Sequence, residues 1–208
     1  IKNMFTKEEL LDHLENGTKV LENKDIRDAF VAIDRKDFVS EDYVEEVYED
    51  YALPLGYEQT ISQPTTVAFM LDLLVPQKGD KVLDVGSGSG FVTALLAHIV
   101  GESGYVIGVE RVQELVKLGQ ENLSKYDFKN AEIKQAGKEL GLQEEAPFDK
   151  ILVSAAAEEV PKELLRQLKV GGVMVVPIYD NIWQVRKISE ENIDIKKFER
   201  FEFVPLIT

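Results

Sequence analysis

The sequence has no cysteine, only two histidines, one tryptophan and three methionines. Without cysteine there is no disulfide, no thiolate nucleophile and no cysteine-ligated zinc. His13 and His98 lie far apart on stretches with helical periodicity. They read as ordinary helix residues, and no metal site is expected. Positive charge is also scarce: 24 lysines and arginines stand against 38 aspartates and glutamates, for a net charge of −14. Such a surface repels phosphate backbones, which argues against DNA or RNA as a partner. No apolar run approaches the roughly 20 residues that cross a bilayer, so no membrane association is expected. The opening Ile1-Lys2-Asn3-Met4-Phe5-Thr6-Lys7-Glu8-Glu9 is polar and charged, unlike a secretory leader. With the missing cysteines this points to a cytoplasmic protein, and a monomer is expected.

The 208 residues, 44% hydrophobic and 30% charged, suffice for one α/β domain with a modest extension. The most informative stretch is Lys81-Val82-Leu83-Asp84-Val85-Gly86-Ser87-Gly88-Ser89-Gly90-Phe91. An apolar run stops at three alternating glycines, and Val92, Leu95, Leu96, Ile99 and Val100 follow at helical spacing. This predicts buried strand, tight turn, helix. A second buried strand, 104–110, ends on Glu110, which lies 20 residues beyond Gly90. A carboxylate there is placed to accept both protons of a ribose diol. The dinucleotide pattern G-x-G-x-x-G fails, and Asp84 before the first glycine would repel a pyrophosphate. S-adenosylmethionine carries an amino group and a sulfonium and no phosphate, so the pattern favours a methyl donor over NAD.

The flanks frame this core. Thr6 and Glu9 form a capping box, followed by Leu10, Leu11 and Leu14, with Gly17 as the helix end. A second helix is predicted over 24–32, then a polar turn at 34–37 and a short helix before residue 51, all with charges read as a solvated face. Residues 53–62 carry no helical period, and Pro54 and Gly56 predict a loop. Ser62 is expected at the N-cap of a helix that has Pro64 in its first turn and runs to about 74. Strands near 131–135, 149–155 and 173–178 and a helix over 161–168 follow. The pair Gly171-Gly172 reads as the turn before the last of these strands. Continuous apolar strands imply a doubly wound, largely parallel, Rossmann-like sheet. Alternating patterns at 182–188 and 196–203 predict an antiparallel hairpin at its edge. The chain is thus read as one domain: a helical cap and substrate loop (1–76), a nucleoside-binding α/β core (77–180) and a C-terminal hairpin (181–208).

With these pieces placed, the chain resembles the protein-L-isoaspartate (D-aspartate) O-methyltransferases over nearly its whole length. The most specific piece is Gln59-Thr60-Ile61-Ser62-Gln63-Pro64. The glycine motif 82–90, the segment from Ala146-Pro147-Phe148-Asp149 to Val160-Pro161, and Gln167-Leu168-Lys169-Val170-Gly171-Gly172 also match. The resemblance implies transfer of a methyl group from S-adenosylmethionine to the α-carboxylate of L-isoaspartyl residues in damaged proteins and peptides, leaving S-adenosyl-L-homocysteine. The methyl ester then cyclises to a succinimide that reopens partly to aspartate. It implies Ser62 as the active-site hydroxyl, assisted by the free N–H groups and positive end of the helix that follows. It implies donor contacts from Thr60, Ile61, Ser62, Asp84, Gly86, Ser87, Gly88, Gly90, Glu110, Arg111, Gly137 and Lys138, with Gln184 a further correspondence. The chain departs from the family in two places. Gly137 and Lys138 replace the Asp-Gly that normally lies near the adenine, with Glu139 as the acid available to substitute. Thr65 stands where many relatives carry histidine or tyrosine, and its small side chain is expected to widen the pocket. Two other functions stay open on sequence: a methyltransferase-fold protein acting on another acceptor such as tRNA adenine, and a donor-binding protein that has lost turnover.

Overall fold

The computed structural model describes residues 5–199 together with Phe203, Pro205 and Leu206. The apolar runs form a seven-stranded sheet. Its strands are β3 Lys81–Val85, β4 Tyr105–Glu110, β5 Ala131–Gln135, β6 Phe148–Val153, β7 Leu168–Ile178, β8 Asn181–Lys187 and β9 Ile193–Glu199, in the order β5-β4-β3-β6-β7-β8-β9. The strands from β5 across to β7 run parallel, whereas β8 and β9 are antiparallel additions. Successive strand residues enter opposite layers, as the two-residue period of a strand requires. Val82, Val106, Leu152 and Val175 join the core on one face, and Leu83, Ile107, Ile151 and Met174 that on the other. The first layer is covered by α3 Pro64–Leu74, α4 Phe91–Val100 and α5 Gln113–Leu123, backed by α1 Lys7–Asp12 and α2 Lys24–Ala32. The second is covered by the short α6 Lys162–Gln167 and the segment around Leu140 and Leu142.

Several sequence expectations change. Residues 53–62 are no open loop: β1 Leu53–Gly56 and β2 Gln59–Ile61 form an antiparallel hairpin. Leu53 and Ile61, nearly fully buried, pin it into the N-terminal core, each worth about 2 kcal/mol of apolar burial. The Gly171-Gly172 pair is not a turn before a strand. β7 already starts at Leu168, and the glycines lie in a register shift, with Phe148 opposite Leu168 and Lys150 opposite Val173. The 34–37 turn is a 3-10 helix, Arg35–Phe38, and Arg35 is 3% exposed, so this charge does not belong to a solvated face. The capping box at Thr6 and Glu9 is formed, and the first helix widens into a π-helical turn ending at Gly17. The expected second arm of the C-terminal hairpin, 196–203, begins at Ile193, and residues 200–202 lie outside the described residues. Among the described residues no helix is long and apolar enough to cross a membrane.

The β1–β2 hairpin tip is strained. Tyr57 (φ 53°) and Glu58 (φ 59°) are both left-handed, between the paired Gly56 and Gln59. A two-residue hairpin turn of this kind favours Asn-Gly, and each larger side chain costs about 1 kcal/mol there. Replacing both, Tyr57→Asn with Glu58→Gly, is expected to raise the unfolding free energy by about 1 kcal/mol in urea titrations. An unchanged or lowered midpoint contradicts the strain.

Candidate active site

The chain adds β4 and β5 on one side of β3, and β6 and β7 on the other. A crevice opens at the carboxyl ends of strands where a parallel sheet reverses its growth. Here it is a cleft of about 1050 Å³ including its mouth. Its floor is the segment after β3, Gly86 to Ser89, and its walls come from Glu110 to Val112, residues 136–141, Ser154-Ala155 and the β1–β2 hairpin. Pro205 and Leu206 close one side, held by the hydrogen bond from the Leu206 amide to the Ala156 carbonyl (2.7 Å). Most of the wall is apolar: Leu55, Phe91, Val92, Val109, Val112 and Leu140 contribute to it.

Glu110 organises the sheet side of the cleft. It is 7% exposed. Its Oε2 accepts the Gly88 amide (3.0 Å), and its Oε1 accepts the Arg111 and Val112 amides (2.6 and 2.9 Å). A carboxylate has about four acceptor positions, so three bonds leave room for a hydroxyl. The backbone is left-handed at Gly86 and Gly88, with φ of 80° and 53°, conformations that cost other residues more than glycine. The Ser87 hydroxyl is buried in the cleft wall and has no hydrogen-bond partner among the described residues.

Ten of the sequence-predicted site residues line this cleft: Thr60, Ile61, Ser62, Gly86, Ser87, Gly88, Glu110, Arg111, Gly137 and Lys138. Asp84 does not. It shares its facing with Val82, points to the α4 side and accepts the Thr93 hydroxyl at 2.6 Å, fully buried. Gly90 does not line the cleft either. It is the N-cap of α4, and a Cβ there would lie 3.2 Å from the Gly119 carbonyl oxygen and 3.0 Å from Ile133 Cδ1, so this glycine lets α5 and β5 approach. Gln184 is buried away from the cleft and donates to the Leu73 carbonyl at the end of α3. Both histidines behave as ordinary helix residues: His98 is exposed on α4, and His13 Nε2 lies 3.1 Å from Asp50. Among the described residues no cluster of His, Cys, Asp or Glu is placed to hold a metal ion.

The hairpin side differs from the sequence expectation in how α3 begins. Gln63, not Ser62, is the N-cap, with Pro64 at the first helical position and no side-chain cap bond. The start of the helix is occupied instead by Asp50, whose carboxylate accepts the Thr65 amide (2.9 Å) and hydroxyl (2.6 Å). The positive end of α3 is therefore already compensated by a protein carboxylate and is no open docking place. Thr65 belongs to this cap and does not widen the cleft. Ser62, freed from capping, sits half-buried in the cleft wall on the strand side of Gln63, while its carbonyl accepts Arg35 Nη1 at 2.8 Å.

Residues that sequence reasoning missed include Leu55, Gln59, Ser154 and Ala155, all in the cleft wall. Ser154-Ala155 directly follows β6 and its position was predictable, because the strand beside the reversal always presents its carboxyl end there. Lys138 and Glu139 are both exposed at the 136–141 wall.

The site fits a nucleoside joined to a cationic chain rather than to phosphates. It offers a part-satisfied carboxylate beside a glycine turn, an orphaned serine hydroxyl and flat apolar walls. This sheet, strand order and cleft define an S-adenosylmethionine-dependent methyltransferase. The model of the protein-L-isoaspartate(D-aspartate) O-methyltransferase family matches residues 5–208. Proteins named protein-L-isoaspartate O-methyltransferase from Methanopyrus kandleri and Ignicoccus hospitalis are 41% and 40% identical to this chain. Their alignments cover 97% and 90% of this chain and 91% and 90% of the relatives. A Plasmodium falciparum structure, described as a candidate protein-L-isoaspartate O-methyltransferase in complex with S-adenosyl-L-homocysteine, superposes with a TM-score of 0.85 at 27% identity over 97% of both chains. The chain belongs to the protein-L-isoaspartate (D-aspartate) O-methyltransferase family.

Asp84 carries a consequence for stability. Burial pushes its carboxyl up to about 7, against the lowering effect of the Thr93 hydroxyl and with Glu110 adding to the rise. A carboxyl raised in the fold favours the protonated folded state, so its contribution is complete below about pH 4 and is lost as pH climbs through 7. Asp84→Asn cannot ionise. In the unliganded protein its stability relative to wild type is expected to rise by on the order of 2 kcal/mol between pH 5 and pH 8. Parallel urea titrations check this, and a pH-independent difference contradicts it.

Proposed function

We propose that this protein transfers the methyl group of S-adenosylmethionine to the α-carboxylate of L-isoaspartyl residues in damaged proteins and peptides. In this reading the glycine turn and Glu110 hold the donor, and Ser62 orients the acceptor. The observation that carries it is the family match over residues 5–208 combined with the seating of Thr60, Ile61 and Ser62 in the same cleft as Gly86, Ser87, Gly88 and Glu110. The bound donor supplies a methyl carbon on a positively charged sulfonium, so an ionised carboxylate oxygen displaces it without further activation.

The chain then has to align the reactants and keep water out. Glu110, with acceptor capacity left beyond its three backbone bonds, takes the ribose diol. Ser87 offers its unpaired hydroxyl, and the apolar walls take the adenine. Lys138 and Glu139 stand at the adenine wall, and Glu139 supplies an acid there, two positions after the glycine that replaces the family's aspartate. The Ser62 hydroxyl donates to the acceptor carboxylate and fixes which oxygen faces the methyl group. Positive sulfonium and negative carboxylate neutralise each other as the bond forms, so a low-polarity cleft favours transfer. No base is required, because the acceptor is ionised at neutral pH.

Incubation with tritium-labelled donor and an isoaspartyl peptide, its aspartyl twin or bulk tRNA is expected to put base-labile label on the isoaspartyl peptide alone. Label on tRNA, or on no acceptor despite measurable donor binding, overturns the reading. Ser62→Ala is expected to lower kcat by at least tenfold, about 1.4 kcal/mol of barrier, at unchanged stability. An unaltered kcat removes Ser62 from the chemistry.

A further inference from the structure

Arg35 is a charged side chain that no part of the donor or acceptor chemistry accounts for. It is 3% exposed and lies beneath the cleft, not in its wall. A buried charge is costly unless hydrogen-bonded and paired, and the groups meeting this one come from separate parts of the chain. Nε donates to the Val47 carbonyl (3.0 Å), Nη1 to the Ser62 carbonyl (2.8 Å) and Nη2 to the Tyr51 carbonyl (3.3 Å). The guanidinium lies 5.6 Å from the centroid of the Phe91 ring, the residue that opens α4 directly after the glycine turn. Burial lowers Arg35 to about 9, with Asp50 opposing the fall, so it remains a cation at neutral pH.

Asp50 extends the clamp. Its carboxylate holds the Thr65 amide and hydroxyl, its carbonyl accepts the Gln63 side chain (2.9 Å), and His13 Nε2 lies 3.1 Å from it. Ser62 is thus gripped at its own carbonyl by Arg35, and the residues immediately after it are gripped by Asp50. These contacts fix the backbone on either side of a side chain that itself makes no hydrogen bond to the described residues. Only a planar fork reaches carbonyls in three directions while stacking on a ring, and a lysine ammonium at the same point does not.

We infer that Arg35 is a positioning residue for the acceptor side of the cleft: with Asp50 it locks segment 62–65 over the glycine turn, so that the Ser62 hydroxyl meets the acceptor carboxylate in one orientation. Its catalytic consequence rests on the function proposed above, whereas the locking itself does not.

Arg35→Lys keeps the charge and removes the fork. Measured well below its melting temperature, it is expected to lower kcat at least tenfold with donor Kd changed less than twofold, because the Gly86–Gly88 and Glu110 contacts are untouched. In a Ser62→Ala background the same substitution is expected to cost less than twofold, since its effect passes through Ser62. Amide hydrogen exchange of residues 59–65 is expected to speed up at least tenfold while residues 86–90 keep their rates. Equal losses of kcat in both backgrounds, or kcat retained within twofold of wild type, overturn the catalytic role. Unchanged exchange at 59–65 overturns the locking, and that readout stands even if the parent protein methylates no isoaspartyl peptide, which is the separate failure of the function itself. Should Arg35→Lys not fold, Asp50→Asn takes its place in the same cycle and exchange measurement. It is expected to lower kcat with Ser62 present, to have no further effect without it, and to speed exchange at 62–65. Equal kcat losses in both backgrounds or unchanged exchange at 62–65 overturn the inference there too.

Discussion

Growth of the parallel sheet outward from β3 in both directions is the constraint on which the site depends. The chain passes from β3 outward to β4 and β5, then returns to place β6 on the other side of β3, which opens a crevice at the carboxyl ends of β3 and β6. Gly86 to Ser89, Glu110 and Ser154-Ala155 reach the cleft because each directly follows or ends one of these strands. The chain before β3 then roofs the opening. The β1–β2 hairpin lies close above the turn: a Cβ on Gly88 would sit 3.5 Å from Leu55 Cδ1. The two sides of the cleft are thus built by different parts of the chain, one by the strand ends of the sheet and the other by the hairpin.

Charge is distributed in keeping with that division. An acidic protein binds a reagent that carries positive charge and no phosphate, and its cleft offers carboxylates rather than a phosphate cradle. Glu110 is oriented at the cleft by three backbone amides, while Asp84, on the same face of the sheet but fully buried against α4, is driven toward its neutral form by burial. Identical chemistry is thus set to different tasks by environment alone. The helix start that could have attracted a substrate carboxylate is satisfied by Asp50.

Much of this was legible in the sequence. Helix 24–32 and strand 131–135 coincide with α2 and β5, and ten of the cleft residues are read from four short stretches. The failures share a physical cause: each residue was read by type and not by direction. Asp84 and Val82 have the same strand parity and face α4, whereas Leu83 and Val85 face the other layer. Gly90 serves a close helix contact, which looks the same in sequence as a ligand contact. The hairpin at 53–61 escaped notice because Tyr57 and Glu58 are not turn-forming residues and occupy left-handed positions against their preference. Arg35 reads as a surface charge in the sequence because its partners are backbone carbonyls at Val47, Tyr51 and Ser62, which have no signature there.

In the proposed function one cleft brings the donor on Glu110 and the glycine turn together with an isoaspartyl carboxylate on Ser62. A crystal structure of this protein with S-adenosyl-L-homocysteine and an isoaspartyl peptide tests it most directly. The expected structure has the ribose hydroxyls on Glu110 and the peptide carboxylate within about 3.2 Å of the Ser62 hydroxyl oxygen, with Asp50 still bound to Thr65. A carboxylate seated at the start of α3 in place of Asp50, or on the Lys138 side with Ser62 uninvolved, contradicts it.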